Sequence, residues 1–210
     1  MKNGIFAKLS AIAVTVLTLA AIFSSCAVST PEEIIGTVSL PDTYSIVYEV
    51  EEKNGVITTV GKTVDKNGNV YFQSGETELI FIKDGSNYIE YTRSSDGEFV
   101  SELGKKVDSA YVSDATAEFH GYVEQSMKKN IPTVEKMGES NILGRACEVY
   151  NVKVGIKSFN VSYTYFVDSE TGVCLEYSAE MTLAGISTKT DETTFTCVEF
   201  ITESVEPINK

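Results

Sequence analysis

Cys26 has the setting that says most about chemistry. It follows Ser24-Ser25 at the end of an uncharged apolar run, Leu9 to Phe23, behind the cationic start Met1-Lys2-Asn3-Gly4-Ile5-Phe6-Ala7-Lys8. A basic start, an apolar run and small residues at its end mark an export signal rather than a folded element. A thiol directly after two small residues is placed for acylation, with the chain cut just before it. The same stretch allows a second cut. Ser25-Cys26-Ala27 is also a small-x-small site for the ordinary signal peptidase, which would leave a soluble chain starting at Val28. We expect acylation of Cys26, because a rare residue type stands where the lipid chemistry needs it.

The other reactive residue types form no catalytic set. Cys147, Cys174 and Cys197 include no Cys-x-x-Cys pair, and the sole histidine, His120, is distant from them in sequence. That spacing argues against zinc. Three cysteines beyond Cys26 leave at least one thiol free. Export permits a Cys174–Cys197 disulfide as an alternative to three small buried side chains. His120 alone could act as a general base, but inside a helical pattern it reads as structural. No Gly-x-Ser-x-Gly elbow and no Gly-x-x-x-x-Gly-Lys phosphate loop occurs. Asp65-Lys66-Asn67-Gly68-Asn69 offers oxygen ligands but lacks the closing acid of a calcium loop, so it reads as a turn. Asn160-Val161-Ser162 matches a glycosylation acceptor that a bacterial lipoprotein has no reason to use. We expect no catalytic residue, no metal and no cofactor: the chain is not expected to be an enzyme.

The segment around Cys26 resembles a lipobox, with Phe23 where Leu, Val or Ile is commoner. Leu9 to Phe23 is shorter than the roughly 20 apolar residues of a comfortable membrane span, which argues against a retained helix. Each buried acyl methylene contributes about 0.8 kcal/mol, and two or more chains give a stable anchor. The expected organisation is a signal peptide over residues 1–25, an acylated cysteine and tether over 26–41, and a single domain over 42–208. The tether carries Thr30-Pro31-Glu32-Glu33. The expected address is exported, lipid-anchored to the outer face of the cell membrane or another envelope membrane.

Without residues 1–25, which hold two lysines and no acid, the chain carries 15 basic and 30 acidic residues, a net charge of −15. That balance excludes binding to nucleic acid or an anionic membrane through a basic patch. From Cys26 onward, 185 residues suit one domain with a sizeable core.

The elements that position these residues are mostly strands. Tyr44, Ile46, Tyr48 and Val50 alternate with polar residues, the period of a half-buried strand. Turns at Lys53-Asn54-Gly55, Asp65 to Asn69, Ser74-Gly75, Asp84-Gly85 and Ser95-Asp96-Gly97 separate strands over 56–64, 70–73, 78–83 and 88–92. Between Val107 and Lys129 the apolar residues step by three and four (Val107, Tyr111, Ala115, Phe119, Tyr122, Val123, Met127), which predicts an amphipathic helix. Asp108 and Ser109 are its candidate caps, and it is expected to break near Ser113-Asp114. Strands resume at Ser140, with Arg145 to Val154, Phe159 to Val167, Val173 to Leu183 and about Lys189 to Glu203. The strand from Val173 is expected to carry Val173, Leu175, Tyr177, Ala179, Met181 and Leu183 on its apolar face and Cys174, Glu176, Ser178, Glu180 and Thr182 on the other. A turn centred on Gly185-Ile186 would set Cys174 opposite Cys197. The expected fold is mainly β (α+β): a curled antiparallel sheet or half-open barrel of about nine strands with a central helical plug.

This order of hairpins, helix and hairpins, with Asn141-Ile142-Leu143-Gly144-Arg145-Ala146-Cys147-Glu148-Val149-Tyr150 and then Tyr165-Phe166-Val167-Asp168-Ser169-Glu170-Thr171-Gly172-Val173-Cys174-Leu175, resembles the LolA/LolB/LppX-like superfamily of exported lipoprotein and lipid carriers. Val198-Glu199-Phe200 resembles its final strand. The resemblance spans about Asp42 to Pro207 and its motifs are structural. It implies a half-open barrel with a helical lid that binds acyl chains. The periplasmic carrier of that family is soluble, whereas this chain is expected to be anchored. The expected ligand is a lipid or other hydrophobic molecule held between sheet and helix. Tyr44, Ile46, Tyr48, Phe72, Phe81, Phe119, Tyr122, Val123, Tyr163 and Tyr165 are the expected lining. The alternative is an envelope interaction module with a filled core and a protein partner.

Overall fold

A computed structural model describes residues 38–102, 104–124, 134–156, 159–190 and 193–209. Cys26, the export signal, most of the tether and the end of the expected helix lie outside the described residues.

The elements are β1 (Tyr44–Glu51), β2 (Ile57–Val64), β3 (Val70–Ser74), β4 (Thr77–Asp84), β5 (Asn87–Arg93), β6 (Phe99–Val100), β7 (Lys106–Val107), α1 (Ser109–Ala115), α2 (Ala117–Glu124), β8 (Val134–Ile142), β9 (Arg145–Ile156), β10 (Phe159–Asp168), β11 (Cys174–Leu183), β12 (Ile186–Lys189) and β13 (Thr194–Ile201). They form one antiparallel sheet in the order β6-β5-β4-β3-β2-β1-β13-β11-β10-β9-β8, with β12 on β11 and β7 on β5. The path does not close. It curls nonetheless: Phe72 on β3 and Val152 on β9 share one buried core although they stand far apart along the sheet. Neighbours so distant meet only when right-twisted strands roll the sheet around a common interior.

Among the described residues thirteen strands stand where about nine were expected. β6 and β7 are two-residue strands with no periodicity to read. β8 begins at Val134, ahead of the expected Ser140. It is an edge strand with no buried residue, so burial leaves no apolar alternation in its sequence. Its turn into β9 places Leu143 and Gly144 at φ 53° and 80°, the two-residue hairpin geometry usually supplied by Asn-Gly.

The helical segment is broken into two short helices, as expected, but the break falls at Thr116 instead of Ser113-Asp114. Asp108 caps α1, accepting from Tyr111 N at 2.8 Å. Thr116 is fully buried, and its hydroxyl donates back to Val112 O at 3.0 Å, a competing bond that favours a break.

On β11, Cys174 is buried rather than turned to the polar face. Val167 pairs with Cys174 and Phe166 with Glu176, so Leu175 is an extra residue and the face shifts there. The β11–β13 ladder pairs Glu176 with Thr196 and Tyr177 with Phe195, one place off the register that sets Cys174 opposite Cys197. Of the two alternatives, the structure has the three buried side chains and not the Cys174–Cys197 bridge: Cys147, Cys174 and Cys197 are buried free thiols.

The chain enters and leaves at one end of the sheet. Ser39 N donates to Thr171 O at 2.8 Å, and Ile208 N donates to Asp65 Oδ2 at 3.0 Å. The β1–β2 turn lies at the opposite end, and the candidate site opens there.

Candidate functional site

β1 and β2 build the floor of the site. Their register pairs Val50 with Thr58, Tyr48 with Val60 and Ile46 with Lys62, all facing inward under α2. α2 lays Phe119 and Val123 onto that floor, both essentially inaccessible to solvent. Phe119 stacks on Tyr44 with ring centres 6.3 Å apart and tilts against Tyr48 at 6.1 Å. Tyr122 meets Tyr48 at 6.0 Å and Phe195 at 5.3 Å. The Tyr48 hydroxyl, buried among these rings, donates to Cys174 O at 3.0 Å, so no polar atom is stranded there.

A cleft of about 490 Å³ opens between α2, the β1–β2 hairpin and the β3–β4 turn. Val50, Val60 and Tyr122 form its apolar wall, and Glu52, Lys53 and Glu118 stand among its polar groups. Ser74 Oγ donates to Glu118 Oε2 at 2.8 Å, tying the helix to the β3–β4 turn. A second cleft, of about 420 Å³, lies on the far side of the same hairpin, over Tyr177 and Ala179. It exists because β11 and β13 share just two residue pairs before β12 takes over the β11 edge.

Of the ten residues expected to line a ligand cavity, Tyr122 lines the larger cleft. Tyr44, Ile46, Tyr48, Phe72, Phe119, Val123 and Tyr165 sit in the main buried core, with Tyr163 half-buried against it. Tyr163 stacks on Tyr177 at 6.2 Å and Tyr165 meets Tyr177 at 5.1 Å. Phe81 is elsewhere, in a smaller core with Val70, Val107 and Val112 under α1.

One residue the sequence reading passed over sits at the inner end of this floor. Lys62 is 7% exposed. Its Nζ donates to Thr116 Oγ1 at 3.1 Å and lies 3.1 Å from His120 Nε2, with the Phe119 ring centre 5.8 Å away. Burial pushes its ammonium down from the ordinary lysine range to about 8. The available signal was a charge at an inward position of an alternating strand, Val60-Gly61-Lys62-Thr63-Val64. His120, read as structural, is Lys62's partner and packs edge-on against Phe119 at 5.7 Å.

The Asp-x-x-Thr-Gly turn is a buried ion pair rather than a reactive group. Arg145 Nε and Nη2 donate to Asp168 Oδ1 and Oδ2 at 2.8 and 2.9 Å, and Thr171 N and Oγ1 donate to the same carboxylate. Burial alone would raise Asp168, but these bonds outweigh it and hold the carboxyl below its usual range. Among the described residues no group of three His, Cys, Asp or Glu side chains is arranged to hold a metal.

No protein-family model matches the chain, and no curated protein sequence does. Among solved structures it is similar to a chain of the Pseudomonas aeruginosa MucA/MucB complex, at 14% identity and TM-score 0.40, covering 79% of this chain and 53% of that one. The chain thus spans about half the length of that relative. It is similar to LprF from Mycobacterium bovis, at 10% identity and TM-score 0.38, covering 80% of this chain and 88% of that one. It is also similar to the Mycobacterium tuberculosis lipoprotein LppX, at 12% identity and TM-score 0.31, covering 79% and 88%.

Proposed function

We propose that this chain is an exported envelope protein, anchored through acylated Cys26, that binds a lipid or other hydrophobic chain between its curved sheet and α2 without catalysing a reaction. The observation that supports this most directly is the cleft of about 490 Å³ over Val50, Val60 and Tyr122. Its volume is in the range of small-molecule sites, and it leads toward the aromatic floor under α2. The helix above it has eight residues. A helix that short is held by its packed side chains rather than by its own turns. Lifting it would break no ladder bond of the sheet. Each ligand methylene buried in its place would contribute about 0.8 kcal/mol.

A second reading is a non-enzymatic interaction module with a filled core and an envelope protein partner. The ring-on-ring packing of Tyr48, Phe119, Phe195 and Tyr177 favours it. Native mass spectrometry of the purified chain after incubation with a total bacterial lipid extract separates the two. A discrete added mass, released on unfolding and reduced in Tyr122→Asp, supports ligand binding. A bare mass from a folded sample overturns it and turns the search to protein partners.

A further inference from the structure

Among the described residues Lys62 is a buried cation without a buried anion. It forms no ion pair among the described residues; its two hydrogen-bond partners, Thr116 and His120, are neutral acceptors. Its cross-strand neighbours are Ile46 on β1 and Phe72 on β3, both apolar and buried. An ammonium so placed loses hydration that two neutral bonds do not replace, and burial has driven its proton affinity down accordingly. A methionine would fill the same space without that cost.

Its position along β2 gives the charge a use. Thr58 and Val60 line the larger cleft, and Lys62 is the next inward-facing residue, about 7 Å farther in. The exposed Glu52, Lys53 and Glu118 at the cleft lie in water and are screened by salt, whereas Lys62 is not.

We propose that Lys62 is the receptor for the head of the ligand, and that the ligand is a single-chain amphiphile ending in a carboxylate, of the fatty-acid class. This rests on the hydrophobic-ligand reading above. The carboxylate enters over Thr58 and Val60 and accepts from the Lys62 ammonium, while the Thr116 hydroxyl keeps its proton on Val112 O and remains an acceptor toward Lys62. The chain lies back along Val60, Val50 and Tyr122. An ammonium has three N–H donors, and Thr116 and His120 take two, which leaves one for a carboxylate oxygen; a charge-assisted bond in a site this dry discriminates strongly against a neutral head.

The test is equilibrium binding of radiolabelled palmitate and hexadecanol, which share a chain and differ in the head, to the full chain at neutral pH. Palmitate is expected to bind about 10-fold or more tightly than hexadecanol. Lys62→Met is expected to remove that preference while leaving hexadecanol affinity in place, and Lys62→Arg to keep it. Should the Met variant fail to fold, the wild type supplies the second readout: the NMR titration midpoint of the Lys62 ammonium moves up on adding palmitate and stays put with hexadecanol. Equal affinity for the two, or an unmoved midpoint with palmitate bound, overturns the role of Lys62 and leaves the hydrophobic-ligand reading standing. Binding of neither probe overturns that reading itself.

Discussion

Lys62 Nζ on β2 stands 3.1 Å from His120 Nε2 on α2. With the lysine donating, the imidazole nitrogen must accept, so this contact needs a neutral ring. A strand in the middle of the sheet and the helix that covers it are therefore joined through a charge that no described residue neutralises.

That unneutralised charge has a signature in the pH dependence of stability. Lys62 is held near 8 in the folded chain, below its ordinary value of about 10.4 in an unfolded one. The unfolded state then binds more protons between those values, so this group's penalty is fully present below pH 8 and is relieved as pH rises toward 10.4. Lys62→Met should be more stable than wild type at neutral pH, by on the order of 1–3 kcal/mol. The gap should close in alkali. Urea unfolding of both proteins across that range checks it, and a variant less stable than wild type at neutral pH would contradict the burial argument.

Arg145 and Asp168 predict the opposite behaviour in acid. The carboxylate is 2% exposed and receives four hydrogen bonds, two from Arg145 and two from Thr171. Arg145 also lies over the Phe200 ring, 4.4 Å from its centre, which links the turn to β13. Because the folded carboxyl titrates below its unfolded value, its contribution is present above the ordinary carboxylate range and is lost as pH falls through the lowered value. Asp168→Asn should cost about 2–4 kcal/mol at neutral pH and progressively less in strong acid. Denaturant midpoints measured at both pH values decide this.

Asp65 holds the far end of the chain. Its carboxylate accepts from Asn67 N, Asn69 N, Asn69 Nδ2 and, across 143 positions, from Ile208 N. Burial pushes its carboxyl up, but these bonds outweigh that and leave it lowered. Asp65→Ala should destabilise the chain by about 1–3 kcal/mol. It should also release residues 205–209, seen as faster amide exchange confined to that tail and to the β2–β3 turn. Protection of Ile208 left as in wild type would show that Asp65 does not hold the tail.

The thiols give a count. Cys147, Cys174 and Cys197 are buried and free, and burial pushes the Cys197 thiol up to about 12 and the Cys174 thiol higher still. Iodoacetamide should label none of the three in the folded protein at neutral pH. In urea without reductant all three should label; a single labelled cysteine among them would reveal a disulfide.

The parts of the fold legible in the residues are those where burial alternates along one segment. β1 through β5 follow Tyr44, Ile46, Tyr48 and Val50 and the glycine turns between them, because a strand with one face in water writes its orientation into every second residue. β8 wrote nothing of the kind, since neither of its faces is buried. The division of the helix was half legible. The step of three and four marked helix, but the break at Thr116, whose hydroxyl donates back to Val112 O and accepts from Lys62 54 positions away, left no mark in that step.

By itself the sequence determined the export signal's pattern, the mainly antiparallel class and the inward faces of most strands, all of which are local properties of spacing. Tertiary structure alone decided what those faces meet. It set Ser45 opposite Ile201, joining the first strand to the last, and packed the aromatic residues of β1, α2 and β13 against one another. It also left the open cleft at Val50, Val60 and Tyr122. The physical reason is that alternation records only that a side chain leaves water. Whether it leaves water for another ring, for a cleft, or beside a lone ammonium depends on contacts between segments, and no period along one segment encodes them.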